Sequence, residues 1–523
     1  MTPTDPTRDA PLPRMLSKIV ATIGPASDSP DQVRRLIEAG VSIFRFNFSH
    51  GDFAAHEKRL DVVRQVSAEM DRPIACLGDL QGPKIRVGKV APPGITLKPG
   101  QSVILRRGLE IACEEVGPGG ETVAVFPTTY PQMIHEVEPG HKVLINDGAI
   151  RMLATARHVD RGELHCCVIV GGLVTSGKGI NLPQSAISAP AITERDWECV
   201  AWAVDNQLDF IALSFVRTAD EVLELKERLK SMCPVDRRSD LRGETATIPI
   251  VAKIEKPQAV ANIDSIVQAS DAIMVARGDL GVEMDIARVP VEQKKILACA
   301  HSWGKPVIVA TQMLESMIES PTPTRAEASD VANAIFDGAD AVMLSAESAT
   351  GKWPVVAVET MRRIAAAAEA RVAELPSRRT PPDQLIGTRF MTAALAHGAW
   401  QICRDIKATL VVCWSESGGS ARALSQNDFD VPIVAYSSSL RTCRRMAILR
   451  NVISVHSRIP EGPTPLRDWN IEVDRFIQSR GLAAAGDPII IVCGRPLGRA
   501  TAANLVAVHR VGEDDSGLRS HGP

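Results

Sequence analysis

The sequence lacks several features that identify nucleic-acid-binding, zinc-binding and disulfide-rich proteins. Only 4% of its 523 residues are aromatic, and its 59 lysines and arginines are spread among 62 aspartates and glutamates without a basic block. A nucleic-acid partner is therefore not expected. The 11 cysteines include no CxxC pair, and several lie within apolar segments, so we expect reduced core residues and neither a zinc site nor a disulfide framework.

Long apolar segments are also missing from the chain. No run of apolar residues approaches the length of a membrane-spanning helix, and the first 14 residues contain no apolar core of a signal peptide. We therefore expect a cytoplasmic protein with no membrane partner. A chain of 523 residues is too long to fold around one ordinary hydrophobic core, so about two to four domains are expected.

The strongest indication of chemistry comes from two apolar runs that each end in charged residues, Ile248 to Ala252 and Ala272 to Ala276. Such runs are typical of buried parallel strands, whose carboxyl ends hold the catalytic residues of α/β enzymes. Glu255 and Asp279 are oxygen ligands suited to Mg²⁺ or Mn²⁺, and the ammonium of Lys253 suits a phosphoryl group or an enolate. The alternative is that these charges simply pair with each other in solvent.

The same alternation of apolar runs and amphipathic segments recurs along the chain. It predicts eight strands with helices between them, and eight βα units fit a TIM barrel whose chemistry lies in the loops after the strands. The predicted strands are Lys18 to Ile23, Val41 to Phe48, Ile74 to Leu80, Phe210 to Val216, Ile248 to Glu255, Ala272 to Leu280, Pro306 to Met313 and Ala341 to Glu347.

Two other regions have a different pattern of apolar and turn-forming residues. Short β-branched runs between Gly- and Pro-rich turns predict a small antiparallel β-barrel or sandwich inserted into the larger barrel, and the last region predicts an open α/β domain. In that domain, loop 415–422 (SESGGSAR) enters a helix as phosphate-binding loops do, although an ordinary capped turn fits equally well. The predicted segments are a disordered tail (1–16), the barrel (17–86 and 186–374), the inserted lid (87–185), the C-terminal α/β domain (384–512) and a second disordered tail (513–523).

Eight short motifs occur in a fixed order along the chain. They are KIVATIGPAS at 18–27, FRFNFSHG at 44–51, GDLQGPKIR at 78–86, GKGINLP at 177–183, AKIE at 252–255, MVARGDLGVE at 274–283, ATQMLESM at 310–317 and MLSAES at 343–348. No single motif is decisive, but the ordered set resembles the pyruvate kinase family over nearly the whole chain. The resemblance implies the same architecture, with a β-barrel lid inserted after the third strand of a TIM barrel.

The resemblance also implies the reaction, which is transfer of the phosphoryl group of phosphoenolpyruvate to ADP followed by protonation of the enolate to pyruvate. The residues it implies are Glu255 and Asp279 for Mg²⁺ or Mn²⁺, Lys253 and Arg45 for the phosphoryl group, Gly278, Asp279 and Thr311 for the substrate carboxylate, Thr311 and Ser345 for a proton relay through water, and Arg86, Lys178 and His50 for the nucleotide. Lys253 is expected to stabilise the transition state and to keep its proton.

One departure from the family pattern concerns potassium. Many relatives hold this ion at positions that match Asn47, Ser49, Asp79 and the carbonyl of Leu80. In this chain Lys84 stands where such relatives have a glutamate, and its ammonium would supply a positive charge and repel a second cation. We therefore expect turnover without potassium; the alternative is that Lys84 points into solvent and potassium still binds.

Two other functional classes remain open at this stage. A metal-dependent lyase or aldolase acting on a pyruvate enolate would share Glu255 and Asp279, but it has no use for Arg86, Lys178 and a nucleotide-carrying lid. A catalytically silent paralogue would require a damaged site. The resemblance further implies a homotetramer and a sugar-phosphate or nucleotide effector at 415–422, although the segment 494–511 matches the family poorly and leaves regulation open.

Overall fold

Eight parallel strands close into a barrel, as the sequence predicts. The computed structural model describes residues 14–117, 119–232, 247–375, 381–388, 390–461, 465–498 and 502–513, so most of both predicted tails lies outside the described residues. The barrel strands are Lys18–Thr22, Val41–Asn47, Ala75–Asp79, Phe210–Leu213, Ile250–Ile254, Ala272–Ala276, Val307–Ala310 and Ala341–Leu344. Below they are called the first to the eighth barrel strand.

Side chains of these strands alternate between two apolar layers. Ile19 and Ala21 of the first strand pack outward against the helices, whereas Val20 between them packs into the barrel interior. Most side chains in the two layers are apolar, and Arg45, Asp79 and Lys253 are charged residues at or near the carboxyl ends of their strands. The helices around the barrel are Pro30–Ala39, Phe53–Glu69, Glu194–Asp205, Ala219–Met232, Pro257–Ala261, Ile263–Ala269, Arg277–Glu283, Val289–Ser302, Arg325–Phe336, Ala346–Ala349 and Pro354–Ala373, with 3₁₀ turns at Ile286–Arg288 and Glu315–Ile318.

The sixth barrel strand differs from its prediction. The sequence predicts a strand that continues to Leu280, but the strand ends at Ala276 and the helix Arg277–Glu283 follows at once. The run of apolar residues stops at Ala276, and Arg277 begins the helix, where it donates to the carbonyls of Thr311 and Gln312. The result is that Asp279 lies in the first turn of a helix instead of on a strand.

The inserted lid consists of a seven-stranded sheet and a two-stranded sheet. All its strand pairs are antiparallel except Ser102–Arg106 with Thr122–Pro127, which are parallel because the strand Cys113–Val116 turns the chain back between them. Single bridges from Arg86 to Gly179 and from Val87 to Thr128 connect the two sides of the larger sheet. The remaining lid elements are strands Ile95–Leu97, Lys142–Ile145, Ile150–His158, Glu163–Val170, Gly172–Val174 and Ile180–Asn181 and the helix Met133–Glu136.

The C-terminal domain is an open five-stranded sheet with helices, as predicted. Its strands, in spatial order, are Val452–His456, Ile433–Ser437, Leu410–Trp414, Pro488–Cys493 and the antiparallel Leu505–Arg510. Its helices are Asp383–Gly387, Met391–Asp405, Gly419–Ser425, Leu440–Arg445 and Pro465–Ser479, with a 3₁₀ turn at Met446–Ile448. No helix within the described ranges combines the length and apolarity needed to span a membrane. The domain boundaries given above stay predictions.

The C-terminal domain packs on the amino-terminal end of the barrel through buried polar contacts. Asp209 precedes the fourth barrel strand. It accepts hydrogen bonds from Arg64 of the barrel at 2.9 Å and from Arg444 of the C-terminal domain at 3.0 Å. Lys18 Nζ donates to the carbonyl of Val452 at 2.6 Å. These contacts fix the domain to the end of the barrel that lies opposite the predicted site.

Candidate active site

The candidate site is built around Lys253, near the carboxyl end of the fifth barrel strand. Its Nζ lies 2.9 Å from Glu255 Oε1 and 3.2 Å from Asp79 Oδ1, and it donates to Ser214 Oγ at 2.7 Å. The Lys253 side chain is 11% exposed, so these three partners hold an almost buried ammonium in one place. A fixed cation at a strand end is the arrangement that electrostatic catalysis requires.

The charges of this cluster determine its protonation. Burial disfavours the charged form of Lys253, but the carboxylates of Asp79 and Glu255 outweigh burial and raise the pKa of Lys253 above its ordinary value. Burial likewise opposes ionisation of Asp79, and Lys253 and Arg45 overcome it and lower the pKa of Asp79. Lys253 therefore stays a cation at neutral pH, and Asp79 stays a carboxylate.

Arg45 lies on the other side of the same carboxylate. Its Nε donates to Asp79 Oδ2 at 2.6 Å, and its Nη1 donates to Thr22 Oγ1 at 3.0 Å. The Asp79 side chain is only 1% exposed, and it holds the guanidinium of Arg45 and the ammonium of Lys253 together. Two cations around one buried anion form a positive surface for an anionic ligand.

Glu255 and Asp279 fit a divalent ion by the chemistry of their donor atoms. Burial and the nearby negative charge of Asp279 raise the pKa of Glu255, against the lowering effect of Lys253. The hard oxygens of both carboxylates suit Mg²⁺ or Mn²⁺. In the described part of the chain, no three His, Cys, Asp or Glu side chains group around one metal position, so water and substrate would complete the coordination.

The backbone around Gly278 and Thr311 is tightly constrained. Gly278 N donates to Thr311 Oγ1 at 2.7 Å, and a Cβ at Gly278 would lie 3.1 Å from that hydroxyl, which explains the glycine. Thr311 and Gln312 have φ values of +67° and +53°, and Arg277 holds both residues by donating to their carbonyls at 3.1 and 3.0 Å. Non-glycine residues in the left-handed region are typical of functional sites.

Ser345 lies at the end of the eighth barrel strand, where its backbone N–H donates to Glu347 Oε2 at 2.7 Å. The other oxygen of Glu347 accepts from Leu314 N at 3.2 Å, which links the loops after the seventh and eighth strands. Burial raises the pKa of Glu347. Ser345 and Thr311 thus lie on neighbouring loops, and the role predicted for them in proton transfer stays a prediction.

The hinge between barrel and lid brings two of the predicted nucleotide residues together. Arg86 Nη1 donates to the carbonyl of Gly177 at 2.8 Å, and Val87 N donates to the carbonyl of Lys178 at 2.8 Å. Arg86 and Lys178 therefore lie on paired segments where the lid leaves and re-enters the barrel.

His50 lies at the mouth of the site. Partial burial lowers the pKa of His50, and so do the positive charges of Lys84, Arg45 and Arg86. Lys84 itself is exposed. The positive charges of Lys84, Arg45 and Arg86 act together at His50, and such a field favours an anionic ligand such as a nucleotide phosphate.

The oxygens predicted for potassium lie together but already accept protein hydrogen bonds. The carbonyl of Leu80 accepts from Ser214 Oγ at 2.7 Å, and Asn47 Oδ1 accepts from Ser49 N at 3.1 Å. Asn47 and Asp79 are paired in the register of the second and third strands. Nothing in this arrangement requires a further cation, and potassium independence stays a prediction.

Two contributors to the site were not assigned by sequence reasoning. Ser214 joins Lys253 to Leu80; the sequence places it among the polar residues near the strand ends, in the predicted strand Phe210 to Val216, but gives it no role. Phe215 N donates to Glu255 Oε2 at 2.7 Å with a φ of +55° at Phe215. No sequence pattern predicts a left-handed backbone conformation at a phenylalanine, so this contact could not be predicted from the sequence.

Loop 415–422 forms a turn stabilised by side chains of the loop and by the neighbouring Trp414 and Thr442. Ser415 Oγ accepts from Ala421 N at 3.2 Å, Thr442 Oγ1 donates to the carbonyl of Glu416 at 3.0 Å, and Trp414 Nε1 donates to Glu416 Oε2 at 2.9 Å. Gly418, the N-cap of the helix Gly419–Ser425, has a φ of +84° and makes no side-chain cap hydrogen bond. An effector at this loop stays a prediction.

Comparison with known proteins extends over all three parts of the fold. A model of the pyruvate kinase barrel domain matches residues 15–358, and a model of the pyruvate kinase alpha/beta domain matches residues 393–509. A pyruvate kinase of Geobacillus stearothermophilus is 39% identical over 499 residues, which cover 95% of this chain and 80% of that relative.

Two further relatives agree with these matches. A pyruvate kinase of Mycobacterium tuberculosis is 39% identical over 95% of this chain and 99% of its own length. Among solved structures, a pyruvate kinase from Cryptosporidium parvum aligns with a TM-score of 0.82 and 30% identity, covering 95% of this chain and 96% of that one. Because the matches include the barrel, the lid and the C-terminal domain, the chain belongs to the pyruvate kinase family.

Proposed function

We propose that this enzyme transfers the phosphoryl group of phosphoenolpyruvate to ADP at the carboxyl end of its barrel, with Lys253 as the central electrostatic group. The observation that supports this most directly is the setting of Lys253 among Asp79, Glu255 and Ser214, which keeps it charged and immobile. A phosphoryl transfer needs little covalent help from the protein and depends on positioning and charge stabilisation.

In the proposed reaction a terminal phosphate oxygen of ADP attacks phosphorus while the bond from phosphorus to the enol oxygen breaks. Lys253 and Arg45 bind the oxygens of the transferring group and offset the negative charge that spreads over them. The electron pair left on the enol oxygen forms an enolate, which takes a proton at its terminal carbon to give pyruvate. Because Lys253 keeps its proton, we assign this protonation to a water relayed by Thr311 and Ser345.

We assign a divalent ion, Mg²⁺ or Mn²⁺, to Glu255 and Asp279. When bound, it supplies Lewis-acid stabilisation of the substrate oxygens. The carboxylate of phosphoenolpyruvate would bind the N–H groups of Gly278 and Asp279 and the Thr311 hydroxyl. Since Gly278 N now donates to Thr311 Oγ1, substrate binding would exchange that internal hydrogen bond for one to the ligand.

We assign the nucleotide to Arg86, Lys178 and His50. The paired hinge segments support this assignment because closing the lid would carry Lys178 towards the barrel and exclude water from the transfer. Lys84 would add positive charge at the same opening. Its charge already acts on His50, which supports the proposal that it replaces a bound potassium ion.

The test is a coupled assay of pyruvate formation from phosphoenolpyruvate and ADP with Mg²⁺, in tetramethylammonium buffer with and without potassium. High activity in the potassium-free buffer supports both the reaction and the role of Lys84. Activity that appears only with potassium keeps the reaction and rejects the role of Lys84. No activity in either buffer contradicts the proposed reaction and favours a lyase, an aldolase or a silent paralogue.

We extend the proposal to a cytoplasmic homotetramer with an effector at loop 415–422. Its support is family membership together with a loop that enters the helix Gly419–Ser425. Mass photometry tests the tetramer, and a species of another size rejects it. Activation curves with fructose bisphosphate, ribose 5-phosphate and AMP test the effector, and three flat responses reject it.

A further inference from the structure

A buried carboxylate next to the candidate site has no part in the proposed chemistry. Glu283 is the last residue of the helix Arg277–Glu283, and its side chain is 0% exposed. Its Oε1 accepts from Lys256 Nζ at 2.6 Å and from Asn181 Nδ2 at 2.8 Å. Its Oε2 is buried and has no hydrogen-bond partner among the described residues. A buried carboxylate satisfied on one oxygen is costly, so its position calls for an explanation.

The three side chains of this contact come from three parts of the site. Lys256 follows the fifth barrel strand, and Glu283 ends the helix that carries Asp279. Asn181 belongs to the lid strand Ile180–Asn181, which follows the loop containing Lys178. The contact therefore joins the lid to the two barrel segments that carry the proposed metal ligands.

The lid touches the same helix at a second place. Asn146, Asp147 and Gly148 form the tip of a lid hairpin with φ values of +56°, +52° and +80°. A Cβ at Gly148 would lie 3.7 Å from Val282 Cγ1, so the hairpin tip packs on the residue before Glu283. Two separate contacts thus place the lid against the helix of Asp279.

We propose that Glu283 is a positioning residue that latches the lid onto the barrel, and we call the contact of Asn181, Glu283 and Lys256 the lid latch. Glu283 and Lys256 both belong to the barrel, so they stay paired when the lid moves, and opening breaks the single hydrogen bond from Asn181. Closure then sets the position of Lys178 relative to Asp279. The proposal rests on the proposed assignment of Lys178 and Arg86 to the nucleotide.

The lid latch predicts a specific kinetic signature. Asn181 has no assigned contact with phosphoenolpyruvate, so its loss leaves binding of that substrate to the barrel unchanged. Loss of the hydrogen bond weakens the closed state, in which the nucleotide is held, and raises KM for ADP. A purely structural role would instead lower the melting temperature and change both KM values together.

The first variant is Asn181→Ala, for which we expect KM for ADP to rise about tenfold, since a hydrogen bond to a charged group is lost. We expect KM for phosphoenolpyruvate and the melting temperature to stay near the wild-type values. The matched control is Gln184→Ala, which removes another amide of the same segment. Gln184 Oε1 accepts from Lys142 N at 2.9 Å, a contact within the lid.

A reciprocal exchange separates the latch from general damage. Asn181→Asp places a carboxylate against Glu283 and should raise KM for ADP further than Asn181→Ala. Adding Glu283→Gln reverses donor and acceptor, so the double variant should recover most of the lost ADP affinity. Equal effects of Asn181→Ala and Gln184→Ala, equal rises of both KM values, or no recovery in the double variant would each overturn the latch.

The wild-type enzyme is assayed first, so that the two proposals fail separately. Absence of turnover from phosphoenolpyruvate and ADP in the wild type overturns the proposed function and the latch with it. Wild-type turnover together with an unchanged KM for ADP in Asn181→Ala overturns the latch alone.

Discussion

Two fully buried aspartates, Asp79 and Asp209, lie at opposite ends of the barrel, and each bridges two cationic side chains. Asp79 ends the third barrel strand and faces the candidate site. Asp209 precedes the fourth strand and faces the C-terminal domain. In TIM barrels the carboxyl ends of the strands carry the chemistry and the opposite face carries stability. The same arrangement of charges therefore serves different purposes at the two ends.

The difference lies in what else the cations contact. Arg64, beside Asp209, also donates to the backbone carbonyls of Ile74 and Gln207 at 3.2 Å each, so the backbone fixes it in place. Lys253, beside Asp79, is held by side chains at a strand end that faces the candidate site. A buried ion pair alone does not identify a functional site. Its position in the fold determines whether it can take part in the chemistry or only stabilises the structure.

The largest expected effect is that of Lys253→Met. A preorganised electrostatic group contributes about 3 to 4 kcal/mol to transition-state stabilisation, so kcat should fall by at least about 100-fold. The control is Lys226→Met, which removes a lysine paired with Asp271 at 3.0 Å on the outside of the barrel and should leave kcat unchanged. Near-normal turnover of correctly folded Lys253→Met would contradict the assignment of the catalytic end.

The two aspartates should respond oppositely to conversion into asparagine. Asp209→Asn leaves two arginines without their buried partner and should lower the free energy of unfolding by about 3 kcal/mol or more. Its kcat should stay near the wild-type value, whereas Asp79→Asn should mainly lower kcat. Urea unfolding and steady-state kinetics on both variants test this. Equal losses of kcat in the two variants would remove the distinction between the ends of the barrel.

Ser214→Ala should have an intermediate effect. The variant removes the hydroxyl that accepts from Lys253 at 2.7 Å and donates to the carbonyl of Leu80 at 2.7 Å. Loss of a hydrogen bond to a charged group should lower kcat about tenfold. Ser270→Ala is a suitable control because Ser270 is a buried serine that donates to the Ile266 carbonyl at 2.7 Å, and an equal effect there would argue against a role for Ser214.

The smallest expected effect concerns pH and the amino-terminal end of the barrel. Burial lowers the pKa of Lys18 from 10.5 to about 8, against the raising effect of Glu369. Between these two values the unfolded chain binds the proton and the folded protein does not, so the free energy of unfolding of the wild type should rise with pH relative to that of Lys18→Met.

Urea unfolding of both proteins at several pH values from about 7 to about 10 measures this difference. A difference that stays constant, or that falls as the pH rises, would show that Lys18 is not held in an environment that disfavours its charge. Turnover should not follow this titration, because Lys18 lies at the end of the barrel opposite the candidate site.

The residues that the sequence predicts correctly are those whose chemistry and position are both visible in one segment. Lys253, Glu255 and Asp279 each lie at or after the end of an apolar run, and the carboxyl ends of buried parallel strands are where α/β enzymes hold their catalytic residues. The sequence also predicts the eight strands, because each of them contains a run of mostly apolar residues. The prediction for the sixth strand was wrong at its end, because it continued to Leu280, past Ala276, where the apolar run stops.

Contacts between distant segments could not be predicted in the same way. Arg444 and Asp209 are 235 residues apart in the chain, and neither residue type is unusual in its own segment. The hydrogen bond from Phe215 N to Glu255 depends on a left-handed backbone at a bulky residue. Such features follow from how several elements pack together, and a single segment does not contain that information.

The hydrogen bond between Trp414 and Glu416 gives loop 415–422 an optical signal of its own. The Trp414 ring lies 6.3 Å from that of Tyr436 and 5.5 Å from that of Trp469, so its fluorescence depends on a fixed aromatic surrounding. A ligand that moves Glu416 changes the polarity at the indole nitrogen and shifts the emission. A Trp414→Phe variant identifies this contribution among the seven tryptophans, so occupancy of the loop becomes measurable in the resting enzyme.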